Sequence, residues 1–86
     1  MLKVQVISPE RVLFEGEVEQ VIAPAFDGEV GILSRHAPMM TLLGSGRLQL
    51  TGGAGAQSFD VEGGFLQVAD DVVRVVTERA TESAAR

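Results

Sequence analysis

The sequence predicts an all-β protein that closes as a sandwich or a barrel. Apolar and polar residues alternate in Leu2–Val6 and again in Arg47–Thr51, as they do on the two faces of a half-buried strand. Turn-forming residues recur at intervals that fit short strands, and helical spacing of apolar residues is mostly absent. Short antiparallel strands of this kind need a second layer, because one flat sheet would leave an apolar face in water.

Eight to ten strands fit the spacing of the turns. We place strands near residues 2–8, 11–16, 17–23, 29–33, 38–43, 46–51, 56–62, 64–69 and 72–77. In the second and third of these, Val12, Phe14 and Val18 share one phase of the alternation, whereas Val21 and Ala23 fall in the other. This slip predicts a bulge, or a bend that passes the chain from one sheet to the other.

The glycines between the strands are typical of turns rather than of a phosphate-binding loop. Neither Gly28 and Gly31 nor the pairs Gly52-Gly53 and Gly63-Gly64 are followed by Lys-Ser/Thr or by the start of a helix. Glycine adopts positive φ at little cost and lets backbones approach closely. We therefore expect these glycines to shape the fold.

The end of the chain is predicted to leave the sandwich. Residues 71–77 are rich in β-branched side chains, whereas residues 77–86 are compatible with a helix. So short a polar segment does not form a stable helix alone, so we predict a strand followed by a tail. The predicted organisation is a β-sandwich domain over residues 1–78 and a short polar C-terminal tail over residues 79–86.

The composition of the chain excludes several classes of function. A chain of 86 residues has room for one domain, and without cysteine it offers neither a disulfide nor a thiolate. A formal charge of −5, no Trp or Tyr and only four Phe argue against nucleic-acid binding. No apolar run approaches the roughly 18 residues that span a bilayer, and the N-terminus lacks a signal-peptide pattern. We expect a soluble, non-secreted domain.

His36 is the one histidine and therefore the obvious candidate base. Ser34 lies too close in sequence to be placed confidently within hydrogen-bond reach, and no GxSxG motif is present. A loop histidine bonded to nearby backbone, or one that contacts a partner, is favoured over a catalytic one. We predict no active site.

A metal site is also not supported. One histidine without cysteine would need clustered carboxylates. The close acidic groups are the pairs Asp60 with Glu62 and Asp70 with Asp71, and the row Glu15, Glu17 and Glu19. That row has strand spacing and is typical of a solvated sheet face or a guarded edge strand. No metal or other cofactor is expected.

The segment from Gly28 to Met39, GEVGILSRHAPM, is the most distinctive part of the chain. Pro38 pushes Ala37 toward extended backbone, and Gly28 and Gly31 permit tight bends. Its apolar residues flank polar Glu29, Arg35 and His36. A rigid corner of mixed apolar and charged groups is suited to contact with another protein.

Three segments resemble the epsilon subunit of F-type ATP synthase. They are KVQVISPERVLFEGEVEQVIAP, with its Ser-Pro-Glu turn, DGEVGILSRHAPMMTLLGSGRL, with its G-E-hydrophobic-G-I and HAP motifs, and VEGGFLQVADDVVRVVTERA, with GGF and a valine-rich strand. Together they cover about residues 2–80 in order. The resemblance is therefore more specific than any single motif.

The resemblance implies a ten-stranded antiparallel β-sandwich of two packed sheets that is a non-catalytic part of the central stalk, or rotor. Members of this family pack against the gamma subunit and against polar loops of the membrane-embedded c-ring, so that proton-driven rotation reaches the catalytic alpha/beta head. By this likeness the c-ring loops face Gly28, Glu29, Val30 and Gly31. The likeness also implies that Ser8, His36 and Thr41 contact gamma and the ring end. These three residues are expected at one end of the domain. The implied location is peripheral, on the cytoplasmic face of a bacterial membrane or the equivalent side of an organellar one.

Most relatives continue into a two-helix C-terminal domain that can restrain ATP hydrolysis and, in some, bind ATP. If 86 residues is the natural length, we expect that brake and any ATP sensing to be missing. Two other classes stay open: a free-standing β-sandwich that binds a ligand such as a sugar, or another protein, and a small enzyme. The first lacks the aromatic platforms that sugar binders use, and the second lacks a named partner for His36.

Overall fold

Ten strands form two stacked sheets in the computed structural model, which describes residues 1–52 and 55–82. The strands are β1 (Leu2–Ile7), β2 (Val12–Val18), β3 (Gln20–Ala25), β4 (Gly28–Leu33), β5 (Met39–Leu42), β6 (Ser45–Gly52), β7 (Gly55–Glu62), β8 (Phe65–Ala69), β9 (Val72–Val76) and β10 (Arg79–Glu82). No helix occurs in the described ranges. The predicted all-β sandwich is confirmed.

Each sheet has five strands. Sheet I has the order β2-β1-β9-β8-β5, and sheet II has the order β10-β7-β6-β3-β4. All pairings are antiparallel, as predicted, except that β1 and β9 are parallel. A parallel pair needs a long crossover connection, and here most of the chain runs between the two strands. The edge strands are β2 and β5 in sheet I and β10 and β4 in sheet II.

The core lies between the sheets and is built from alternate residues of the strands. Leu2, Val4 and Val6 of β1 are fully buried, and β6, β7, β8 and β9 alternate in the same way. The rings of Phe14 and Phe59 meet edge to face, with centroids 6.5 Å apart. Because the two rings come from different sheets, their contact helps to join the layers.

The predicted slip of phase marks the passage from sheet I to sheet II. Val18 ends β2 with its side chain in the core, Glu19 is exposed, and Val21 returns to the core from β3. The Glu19 N–H donates to the Thr51 carbonyl oxygen at 2.8 Å. Core positions three residues apart cannot both occur in one regular strand, so the chain must break its alternation between them.

The crossing from β9 in sheet I to β10 in sheet II corrects the prediction for the end of the chain. Residues 79–86 were expected to form a tail, but Arg79–Glu82 is strand β10 and pairs with β7. Ala80 packs against the core from this strand. Pairing with an open sheet edge overrides the weak helical preference of a short segment. The rest of the predicted tail, residues 83–86, lies outside the described residues.

Candidate interaction surface

The segment from Gly28 to Met39 links the edges of the two sheets. Its first half is edge strand β4, and its second half crosses to edge strand β5 of the other sheet. Gly28 has φ +133° and starts β4 after the turn at Phe26-Asp27. Gly31 was expected to permit a tight bend, but it is an ordinary strand residue opposite Ile22. The corner therefore consists of one straight edge and one loop.

The four residues predicted to face the c-ring loops lie together on the β4 edge. Gly28, Glu29 and Gly31 are exposed, whereas Val30 packs against the core. A Cβ added to Gly28 or Gly31 would meet no atom within 4 Å, so there is open space at both positions. Glu29 is the charged side chain of this open edge.

His36 lies in the loop between β4 and β5. Its Nδ1 is 2.7 Å from the Ala37 carbonyl oxygen, and its backbone N–H donates to the Leu33 carbonyl oxygen at 3.2 Å. These contacts belong to the loop itself. They match the expected loop histidine bonded to nearby backbone and provide no partner for acid–base chemistry.

Ser8 and His36 do not lie at one end of the domain. Ser8 follows the last residue of β1, where its N–H donates to the Arg11 carbonyl oxygen. The His36 loop is tied to Asp71, whose carbonyl oxygen accepts from Lys3 near the first residue of β1. Thr41, half-buried on edge strand β5, is aligned through Leu66 and Val75 with Val6 and therefore lies toward the Ser8 end. The expectation of a common end is therefore wrong for His36, which the length of β1 separates from Ser8, and the contact roles of all three residues stay predictions.

The clearest surface feature is a set of apolar side chains on the outer face of sheet I, which we call the apolar row. It contains one residue from each strand, and neighbours in the row are paired in register: Val12, Ile7, Val76, Phe65 and Leu42. With strands about 4.8 Å apart, five strands give a row about 19 Å long. The row ends are the most open, since Leu42 is 62% exposed and Val12 is 53% exposed.

The apolar row is bordered by further open surface. Phe26, at the turn before β4, is 75% exposed, and its N–H donates to the Leu42 carbonyl oxygen at 2.8 Å. At mid-row a shallow groove of about 340 Å³ runs between Ile7, Ser8, Phe65 and Val76. Contiguous apolar surface is typical of sites where proteins contact one another. Ser8 lies beside it.

The apolar row was not predicted from the sequence, although the chain carries a signal for it. Every member stands next to another apolar residue: Val6-Ile7, Val12-Leu13, Leu42-Leu43, Phe65-Leu66 and Val75-Val76. In each pair one side chain packs in or against the core, so the other must point outward. Only the register shows that the outward members align.

Groups suited to metal binding or membrane crossing do not occur in the part of the chain that the structure describes. Within residues 1–52 and 55–82, no three His, Asp or Glu side chains converge as metal ligands would. The same ranges contain no helix long and apolar enough to cross a membrane.

A β-sandwich with an apolar row and an open edge that carries Glu29 belongs to the class of domains suited to contact with other proteins. The model of the family described as "ATP synthase, Delta/Epsilon chain, beta-sandwich domain" matches residues 1–83. The chain belongs to this family, and the epsilon chain is a non-catalytic subunit of ATP synthase.

Relatives from several bacteria agree with this assignment. An ATP synthase epsilon chain of Caulobacter vibrioides is 41% identical, and the match covers 96% of each chain. An epsilon chain of Leptospira borgpetersenii is 43% identical over 90% of this chain. This chain spans 61% of the Leptospira protein, so it matches relatives of quite different length.

Solved structures share the fold. A chain in a cryo-EM structure of Euglena gracilis mitochondrial ATP synthase, OSCP/F1/c-ring, superposes with a TM-score of 0.86 at 24% identity, covering 94% of this chain and 52% of that one. A chain of the Tetrahymena thermophila mitochondrial ATP synthase central stalk/c-ring gives a TM-score of 0.73 at 17% identity, covering 93% and 65%. At these identities the likeness establishes the architecture.

Proposed function

We propose that this chain is a central-stalk subunit of F-type ATP synthase that binds the gamma subunit and the c-ring loops and so couples proton-driven rotation to ATP synthesis. Family membership supports its place in the enzyme. The similar folds occur in central-stalk and c-ring structures of other ATP synthases. In this role the chain is peripheral, on the cytoplasmic face of a bacterial membrane or its organellar equivalent.

The apolar row is the observation that carries the proposal, and we assign it to gamma. A rotor part must stay attached while torque passes through it, so most of its affinity must come from buried apolar contact. The row crosses all strands of sheet I, and a partner that covers it holds every strand of that sheet at once. Ser8 borders the row directly, and Thr41 lies beside Leu42 on β5. Contact of gamma with His36 then requires the interface to continue along the β5 edge.

The β4 edge serves the c-ring in this proposal. Glu29 is exposed beside Gly28 and close to the open turn of Phe26-Asp27. A carboxylate in this position forms charge-assisted hydrogen bonds with a basic group on a ring loop. Such an exposed pair contributes only about 0–1 kcal/mol, so it orients the contact more than it strengthens it.

Torque transmission follows from the two-layer build. A force applied at the β4 edge passes through hydrogen-bonded ladders into sheet II, and from there through the core into sheet I and the apolar row. Close-packed interiors have low compressibility and transmit strain. The proposal concerns the β-sandwich alone and gives it no inhibitory or nucleotide-binding role.

The test is binding of the purified chain to a subcomplex of gamma and the c-ring from the same organism. Leu42→Glu places a charge at the open end of the apolar row, and we expect it to lower affinity at least about tenfold by desolvation at the interface. Val72→Glu is the matched control, because Val72 is 44% exposed on the same face of the same sheet but outside the row. Equal loss in both variants, or loss in neither, would exclude the row as the gamma surface.

A further inference from the structure

The loop that carries His36 is held by a residue of the turn between β8 and β9 in sheet I. Arg35 has φ +68°, a left-handed conformation that bulky L-residues rarely adopt. Its backbone N–H donates to Oδ1 of Asp71 at 2.6 Å, across 36 positions of sequence. A short bond to a charged acceptor is among the stronger hydrogen bonds that a backbone N–H makes.

Asp71 is itself firmly placed. Asp70 and Asp71 form the two-residue turn between β8 and β9, with φ of +52° and +62°. Two central residues with positive φ make the hairpin turn whose twist matches that of the strands, and Asp tolerates this conformation. The Asp71 carbonyl oxygen also accepts from the Lys3 N–H at 2.9 Å. The carboxylate therefore projects from a rigid point of sheet I.

The bond from Asp71 reaches the one connection that leaves edge strand β4 and enters edge strand β5. Arg35 is exposed, and this loop lies beyond the last paired residue of β4. Nothing in the Arg35 side chain favours the left-handed conformation. The position of Arg35 in turn sets the direction in which His36 and Ala37 leave the turn, since its backbone immediately precedes theirs.

We propose that Asp71 is a positioning residue: its carboxylate holds Arg35 in the left-handed conformation and thereby sets how His36 and Ala37 are presented to a partner. The partner-facing half of this inference rests on the proposed function. The claim that Asp71 holds Arg35 does not depend on the proposed function, because it concerns the isolated chain.

The test compares Asp71→Gly with Asp71→Asn and Asp70→Gly in the full chain. Glycine keeps positive φ without strain and removes the acceptor, whereas asparagine keeps an acceptor oxygen. Asp70 is the matched control, since it has the same conformation in the same turn and its side chain is exposed. In Asp71→Gly, amide hydrogen exchange at Arg35 should rise about three- to tenfold, with shifted NMR signals for His36 and Ala37. Asp70→Gly should stay close to the parent, and Asp71→Asn, whose neutral acceptor forms a weaker bond, should raise exchange less than Asp71→Gly does.

A second substitution distinguishes the effect of losing the hydrogen bond from the effect of a general loosening of the turn. Arg35→Gly adopts left-handed backbone freely, so in that background Asp71→Gly should change the signals of His36 and Ala37 far less than it does in the parent. Unchanged exchange at Arg35 in Asp71→Gly, or an equal change in Asp70→Gly, would overturn the inference.

Binding to the gamma and c-ring subcomplex then decides the partner-facing half. We expect Asp71→Gly to weaken binding several-fold and Asp71→Asn to weaken it less. If Asp71→Gly alters exchange yet binds like the parent, positioning for the partner is excluded. If the parent chain itself does not bind, the proposed function fails, and the exchange data still decide whether Asp71 holds Arg35.

Discussion

Gly64 occupies a position where the surrounding backbone leaves no room for a side chain. It has φ +101° in the turn between β7 and β8. A Cβ at this position would collide with the Val76 carbonyl oxygen and lie 2.7 Å from the Thr77 Cα. Both neighbours are backbone atoms, which cannot rotate away as the end of a side chain can. The second glycine of the GGF motif is therefore required both by the positive φ of the turn and by the close approach of the backbone of Val76 and Thr77.

Gly64→Ala should lower the free energy of unfolding by about 2–4 kcal/mol, because left-handed strain adds to steric overlap. Urea unfolding followed by circular dichroism measures the change. Gly31→Ala is the control, since a Cβ there meets no atom within 4 Å. It should stay within about 1 kcal/mol of the parent. Similar losses for both variants would show that the clash at Gly64 is relieved by movement of the turn.

Strand β10 shows how a single buried hydroxyl can place an element. Thr77 is the buried polar residue between β9 and β10, with only 1% of its surface exposed. Its Oγ1 lies 3.2 Å from the Glu62 carbonyl oxygen and 2.9 Å from that of Arg79, and it accepts from the Arg79 N–H at 3.3 Å. The hydroxyl thus joins the end of β7 to the start of β10 as the chain crosses between the sheets.

Thr77→Val keeps the shape of the side chain but removes these hydrogen bonds. We expect a loss of about 1–3 kcal/mol, since the part-buried backbone groups of Glu62 and Arg79 lose their partner. A larger increase in amide exchange over the parent in β10 than in β6 would show that the loss of stability is local. Thr81→Val, on the exposed part of β10, should leave both quantities near the parent values. Uniform exchange changes across the two sheets would instead indicate global destabilisation and contradict a local role.

At the scale of the whole molecule, the apolar row and the acidic edge are separate surfaces on a chain with a net charge of −5. The row lies on sheet I, and Glu29 lies on the edge of sheet II. Apolar contact determines how long a complex lasts, whereas charge mainly determines how fast it forms and in which orientation. Both surfaces can therefore be tested independently.

Glu29→Lys should weaken binding to the gamma and c-ring subcomplex by a few-fold at most, mainly through slower association, and leave the fold intact. Surface plasmon resonance at low and at physiological salt measures the rates. The difference from the parent should shrink as salt rises, because exposed charges are screened. Glu17→Lys makes the same charge change on the opposite edge strand, β2, of the other sheet. An equal effect of both variants would mean that net charge, not the β4 edge, matters.

The sequence predicted most of the fold because the evidence for strands is local. Alternation at Leu2–Val6 and the slip between Val18 and Val21 concern neighbouring residues, and both were confirmed. The glycines Gly63 and Gly64 were also identified as a turn. The segment Arg79–Glu82 was assigned to a tail, because its four residues become a strand only through pairing with β7.

The amino-acid sequence alone determined the all-β class, the strands before β10, the break in alternation where the chain crosses from β2 to β3, and the likeness to a family. These properties depend on residues close together in the chain or on motifs read in order. Only the tertiary structure decided that Ser8 and His36 lie at opposite ends, that Asp71 bonds to Arg35, and that an apolar residue of every strand of sheet I falls on one line. Such properties depend on register and on contacts between residues far apart in the chain, and a shift of one residue in the pairing would turn each outward side chain into the core.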